Sequence, residues 1–259
     1  MERRGLPPAT TAAVCGALAD VSELGGYFEF GVGPIAPGWR PLTDLVGDRD
    51  ILEARIADVA ARLGTGETRV AASILFQGLA ARLWSPPFGA AVAHDLLVRL
   101  APGDVHWLPT PSGPLPLRAA RPKGWEAAEP SWIAEPLYRT VVTGLLEPLA
   151  ATVQSIAKIA PGLLWGNAAS ALAGTATALA RQRPGLSARA VDLARDLLEL
   201  GHLRGAGEFA EPAPGRHFFV RRSCCLYYRV PGGGTCGDCS LITPAARREQ
   251  WARAVREKS

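Results

Sequence analysis

Lysine is nearly missing from the 259 residues: three Lys stand against 25 Arg, beside abundant Ala. That skew is the mark of a GC-rich coding bias and is assigned no function. No export signal is expected. The start, Met1-Glu2-Arg3-Arg4, meets Pro7-Pro8 and only a short Ala-rich run, too polar and Pro-broken for a signal core. Long membrane runs are missing too. The longest uncharged stretch, Ile159–Ala180, contains Pro161, Asn167, Ser170, two Thr and three Gly and is otherwise mostly Ala. Ala gains little in lipid, so this stretch reads as a buried helix packed closely through small residues, and the protein is expected in the cytoplasm without a transmembrane segment. No P-loop, G-x-S-x-G or H-E-x-x-H occurs. The run Gly31-Val32-Gly33-Pro34-Ile35-Ala36 imitates a dinucleotide fingerprint, but Pro37-Gly38 blocks the helix such a site needs. Basic residues interleaved with aromatics are not sustained over a face, which excludes nucleic acid as the expected partner. The four His (His94, His106, His202, His217) are scattered, and only His217 lies near the segment that carries chemistry.

What is present is enough apolar sequence, 48 % of residues, to bury a real core. The expected fold is α+β: a mainly α-helical body with a few short strands, residues 1–204, and a small C-terminal segment, residues 205–259, that carries four of the cysteines and a terminal helix. A helix is expected from Asp50, capped by it with Glu53 at the capping-box position, with Leu52, Ile56, Val59 and Leu63 inward and Gly64 stopping it. A second covers 68–84, with Ala72, Leu75, Phe76, Leu79 and Leu83 at helical spacing, and ends before Pro86-Pro87. A third is capped by Ser187, buries Val191, Ala194, Leu197 and Leu198, and ends at Gly201. Two or three helices broken at Pro148 and Pro161 fill 135–180. Short strands are expected at Tyr27–Phe30, Val105–Pro109 and Pro114–Arg118, the last two joined by a Pro-Ser-Gly hairpin at 111–113. Trp107, Trp125 and Trp132 belong to a Pro-rich but ordered stretch in which core packing is favoured over a ligand face. A Gly/Pro/Glu-rich segment, Gly205–Gly215, separates the body from the cysteine region.

Four of the five cysteines, Cys224, Cys225, Cys236 and Cys239, lie in a C-C-x10-C-x2-C pattern. Two pairs joined by Pro231-Gly232-Gly233-Gly234 can fold back and present four thiolates to one metal centre. The glycines permit a tight hairpin turn and leave backbone N–H groups bare, as hydrogen-bond donors to sulfur. Three readings compete. A disulfide framework needs an oxidising compartment and would leave one cysteine over. Structural zinc wants knuckles with two to four residues between ligands, which adjacent Cys224-Cys225 does not make. An iron–sulfur centre is favoured by the spacing, yet adjacent side chains diverge on extended backbone, so joint ligation demands a sharp turn there. Cys15, alone in an Ala-rich run, is expected as a buried small hydrophobe. The charge is uneven: residues 1–200 carry a net −1 and residues 201–259 a net +5. Arg216, Arg221, Arg222 and Arg229 can offset an anionic centre and attract an acidic partner, or simply form a solvated basic face. Residues 244–259 read as an amphipathic helix, with Trp251, Ala252 and Val255 on one side, covering the cluster or the body.

The run from Arg221 to Cys239, RRSCCLYYRVPGGGTCGDC, resembles the C-terminal signature of the FhuF-type ferric-siderophore reductases, and all four cysteine positions of that signature are filled. Leu164-Trp165-Gly166-Asn167-Ala168-Ala169-Ser170 and Phe76–Trp84 resemble further motifs of the family, extending the likeness over roughly residues 65–240. The resemblance implies a [2Fe–2S] cluster on Cys224, Cys225, Cys236 and Cys239, and a helical body similar to part of the aerobactin-type siderophore synthetases. It implies one-electron reduction of Fe³⁺ held by a hydroxamate or carboxylate siderophore, with release of Fe²⁺. With no nicotinamide or flavin site visible, the electron is expected from a reduced ferredoxin-like carrier. Arg221, Arg222 and Arg229 are candidates for electrostatic tuning or substrate contact; Trp84, Trp165 and Asn167 are weaker candidates for a docking cleft, with core packing favoured. The alternatives are an iron–sulfur sensor or electron-transfer module without reductase turnover, or a structural zinc protein.

Overall fold

The computed structural model describes residues 6–110, 113–127 and 132–256. Helix α1 (Thr11–Ser22) is capped by Thr10, whose side chain accepts the Ala13 N–H. A 3-10 turn at Gly26–Phe28 comes next, where a strand was expected, and the extended pairing begins later, at β1 (Gly31–Val32). Strand β2 (Arg40–Pro41) runs into α2 (Leu42–Gly47) and then α3 (Arg49–Leu63). The cap of α3 is Asp48, not Asp50: its carboxylate accepts from the Asp50 and Ile51 amides, while Glu53 faces Arg49 across one turn. Leu52, Ile56 and Val59 are buried, Leu63 is half-buried, and Gly64 ends the helix in the left-handed region.

Helix α4 (Thr68–His94) runs straight through Pro86 and Pro87, where the sequence predicted a stop. Two prolines withdraw two donors from the ladder. Residues 82–92 are nevertheless all buried, and packing overrides the local preference. Ser85 Oγ donates to Ala81 O at 2.8 Å and lies 2.9 Å from Thr175 Oγ1 on a neighbouring helix. Strands β3 (Leu96–Arg99), β4 (Val105–Trp107), β5 (Leu117–Ala119) and β6 (Lys123–Glu126) come after it. The expected pairing of β4 with β5 is antiparallel, Trp107 opposite Leu117, within a small sheet ordered β1-β5-β4-β2; β3 pairs with β6 separately. Residues 111 and 112 of the expected turn lie outside the described residues. Trp107 is core, Trp125 half-buried and Trp132 exposed.

Pro148 does not break its helix. From α5 (Ala134–Tyr138) the chain continues as a π-helical stretch, Arg139–Leu146, directly into α6 (Glu147–Ile156). Proline cannot donate the usual i→i−4 hydrogen bond, and the widened turn just before it, with Glu147 N–H reaching back to Val142 O, absorbs the mismatch. Pro161 does open a helix, α7 (Pro161–Gln182), buried along its small residues as expected and packed chiefly on α4 and on α8 (Ser187–Leu198). Ser187 lies inside α8 because a 3-10 turn, Pro184–Leu186, extends it backwards. The chain then forms an antiparallel hairpin, β7 (Gly207–Ala213) and β8 (Arg216–Arg221), and ends in α9 (Pro244–Arg256). The supposed spacer Gly205–Gly215 is thus one arm of a hairpin packed on α7 and α8. The described residues are 58 % helical with few, short strands, which makes the fold α+β. Among the described residues no helix is long and apolar enough to cross a membrane.

Candidate iron–sulfur centre

Strand β8 delivers the first cysteine pair to the seam between α4 and α7. The seating is specific. Ser73 on α4 donates through Oγ to Cys225 O at 2.7 Å. Asn167 on α7 donates through Nδ2 to Ser73 O and Ser73 Oγ, both at 2.9 Å, and its Oδ1 accepts from Arg221 Nη2. Ser73, Asn167 and Arg221 are all fully buried, so the helical body and the cysteine loop share one polar network. Gly166 explains how the loop approaches so closely. A Cβ there would stand 1.9 Å from Ser223 Oγ and 3.4 Å from Arg221 Nη2.

The sharp turn demanded by adjacent cysteines is made by the next residue. Leu226 lies in the left-handed region at φ 67°, an arrangement that costs a non-glycine residue about 1–2 kcal/mol. It swings its N–H back to Cys224 Sγ at 3.3 Å. The second pair repeats the device: Leu241 N–H points to Cys239 Sγ at 3.4 Å. The amides that reach sulfur among the described residues belong to Leu226, Tyr227 and Leu241, beside the cysteines, and not to the glycine run. The glycines make the return turn, with Gly232 and Gly234 at φ 72° and 69°, and a Cβ on Gly233 would press 2.8 Å from Tyr227 O. That return is a loop without a strand ladder; the real hairpin is β7–β8. The loop closes where Arg221 N–H donates to Asp238 O at 3.3 Å.

Cys225 Sγ and Cys236 Sγ are 3.4 Å apart, so sulfurs from the two pairs meet. Two thiolates on one tetrahedral metal with bonds near 2.3 Å stand roughly 3.7 Å apart. Contact with Cys236 holds the Cys225 thiol down against the opposing effect of burial, with the Tyr227 amide and Arg221 helping; the same contact pushes Cys236 up. Burial raises the Cys224 thiol. Among the described residues no three His, Cys, Asp or Glu side chains converge as they would on a single metal ion. The sulfur approach seen is the single pair Cys225–Cys236; a two-iron centre uses two such pairs, one on each iron. The surroundings also suit an anion. Among the described residues, Arg221 Nε and Nη1 and Ser223 Oγ are buried without a partner. Four thiols with orphaned donors beside them fit a [2Fe–2S] cluster.

The remaining candidates are scattered in depth. Trp84 is fully buried core, and Arg221 and Asn167 are fully buried too, so none of the three can line an open docking cleft. Trp165 is half-buried and stacks on His202, ring centroids 4.2 Å apart. Arg222 and Arg229 are exposed on the cysteine side, with Arg229 Nε 2.8 Å from Glu67. Tyr228 and Leu241 are exposed beside them. His217 faces Glu211, and Cys15 is half-buried on α1, not fully buried as expected. Helix α9 buries none of its residues, yet Trp251 stacks on Phe218 and Arg247 Nη2 donates to Cys239 O at 2.9 Å. The residue that pattern reading missed is Ser73, a plain serine in a helical run; no sequence signal marks it. Two surface clefts of about 510 and 320 Å³ lie elsewhere and include no cysteine.

The geometry defines a cysteine-rich C-terminal segment seated on a helical body. Residues 221–241, which contain all four cysteines, match the family model described as the FhuF 2Fe-2S C-terminal domain. The cofactor this implies is a [2Fe–2S] cluster, and the protein is an iron–sulfur protein of siderophore-related type. No curated protein matches the chain.

Proposed function

We propose that the protein is a cytoplasmic ferric-siderophore reductase, with Cys224, Cys225, Cys236 and Cys239 as the cluster ligands. The observation that carries this reading is the pairing of the two cysteine couples across a buried polar network, in a segment that matches a [2Fe–2S] domain. When bound, the cluster supplies a reversible one-electron couple. The overall reaction is Fe³⁺–siderophore plus one electron giving Fe²⁺ and the free siderophore. The electron comes from an external reduced carrier protein of ferredoxin type. Hydroxamate or carboxylate oxygens hold Fe³⁺ far more strongly than Fe²⁺, so the added electron loosens the metal without an acid, base or nucleophile.

The chain's own residues have three tasks. The thiolates hold the centre. Leu226 and Leu241 amides and the buried Arg221 offset its negative charge. Arg222 and Arg229, exposed on the cysteine side, receive anionic surfaces of substrate or donor, with Tyr228 and Leu241 as apolar contacts. In this division residues 1–204 form the docking body and residues 205–259 hold the cluster.

The test begins with protein purified without oxygen: iron, sulfide and visible absorption establish the cluster. The reduced protein is then mixed with a ferric hydroxamate and a Fe²⁺-specific chelator. Stoichiometric bleaching reversal and Fe²⁺ capture, then turnover with excess reductant, is the expected result. A cluster that reoxidises once and never turns over would leave a sensor, and a colourless zinc protein would remove the proposal.

A further inference from the structure

Under the cysteine loop sits a positive charge that no acid among the described residues balances. Arg221 is 1 % exposed. Its guanidinium pairs with no carboxylate there: Nη2 donates to the neutral amide oxygen of Asn167, while Nε and Nη1 have no acceptor. An isolated buried cation is costly unless an anion lies against it. Its main chain bonds to Asp238 O, inside the second cysteine pair, and it stands three residues before the first pair on the same strand end. Asn167 cannot turn away, because Nδ2 is spent on Ser73, which in turn holds Cys225 O. Arg221 is thus tied through its main chain to the loop of the second cysteine pair, while Asn167 fixes its buried side chain from behind.

We propose that Arg221 is the permanent counter-charge of the [2Fe–2S] centre and that Asn167, locked by Ser73, is the positioning residue that aims it, so that the helical body sets the reduction potential. This rests on the cluster reading. A four-thiolate [2Fe–2S] centre is anionic when oxidised and gains one more negative charge on reduction. A nearby buried cation therefore favours the reduced form and raises the potential. A merely structural Arg221, tying β8 to α7, has no such effect on the electron.

The experiment compares cluster-loaded wild type with Arg221→Gln, Arg221→Lys and Asn167→Asp by redox titration, monitored by visible absorption and electron paramagnetic resonance. Iron and sulfide are counted first. Wild type lacking both defeats the cluster reading itself, whereas a loaded wild type leaves the charge argument to be judged by potentials alone. Arg221→Gln is expected to lower the reduction equilibrium constant about tenfold or more, about 59 mV for a one-electron couple. Arg221→Lys, which keeps the charge, recovers most of that shift. Asn167→Asp keeps Arg221 but sets a carboxylate on it, and shifts the potential the same way as Arg221→Gln; it decides the matter if Arg221→Gln does not retain its cluster. Gln and Asp variants with wild-type potentials, or a Lys variant as low as Gln, overturn the proposal.

Discussion

Leu226 and Gly166 show how much of the centre depends on single positions that carry no chemistry. The left-handed backbone at Leu226 turns its N–H onto Cys224 Sγ, and strain of this kind gathers where function over-determines the backbone. Cys225 and Cys15 make a controlled comparison. Cys225→Ser is expected to remove or shift the visible absorption and lower bound iron, because it breaks the contact with Cys236; Cys15→Ser leaves the spectrum unchanged. Gly166→Ala forces a methyl group against Ser223 Oγ, and overpacking of this type costs about 1–3 kcal/mol. A lower urea midpoint together with weaker iron retention is the expected outcome, and an unchanged midpoint would mean that Ser223 simply turns aside. At this scale the sequence was most informative for the thiols, whose spacing is rare. It was silent on burial: Arg221 and Arg222 are neighbours and look alike, yet one is buried and the other exposed, a distinction made only by the tertiary seat under α7.

Among the elements, periodicity located the faces of α3, α4 and α8, while the ends went astray for identifiable reasons. Asp48 displaced Asp50 as cap because two acidic residues flank Arg49 and only one has the extended backbone a cap requires. Helix α4 passed two prolines because burial on all sides outweighs two lost hydrogen bonds, and periodic pattern carries no such information. The same limit hid the π-helical turn ahead of Pro148. Helix α9 invites a direct test. It buries nothing but stacks Trp251 on Phe218 and holds Cys239 O through Arg247. Deleting residues 243–259 is expected to leave the thermal midpoint of the body nearly unchanged while speeding cluster loss to a chelator, measured as decay of visible absorbance. Equal rates of loss would reduce α9 to an appendage.

For the molecule as a whole, charge is separated along the chain, with the positive excess in residues 201–259. If that excess steers an acidic carrier to the exposed Arg222 and Arg229, the rate of electron uptake should fall steeply as ionic strength rises from about 0.01 to 0.15 M, where the screening length shortens from about 30 to 8 Å. A flat response in stopped-flow mixing would remove steering from the account. Fold class came from composition and helix spacing, and the cysteine module from its motif. How the two meet did not, because Ser73 and Cys225 are 152 positions apart and nothing local announces their bond. That long reach has a consequence for how the protein is made. The cysteine loop leaves the ribosome after α4 and α7 have been synthesised, and a chain folding from its N-terminus has already built their cradle by then. The seat is therefore complete only when the last part of the chain has joined the helices made before it.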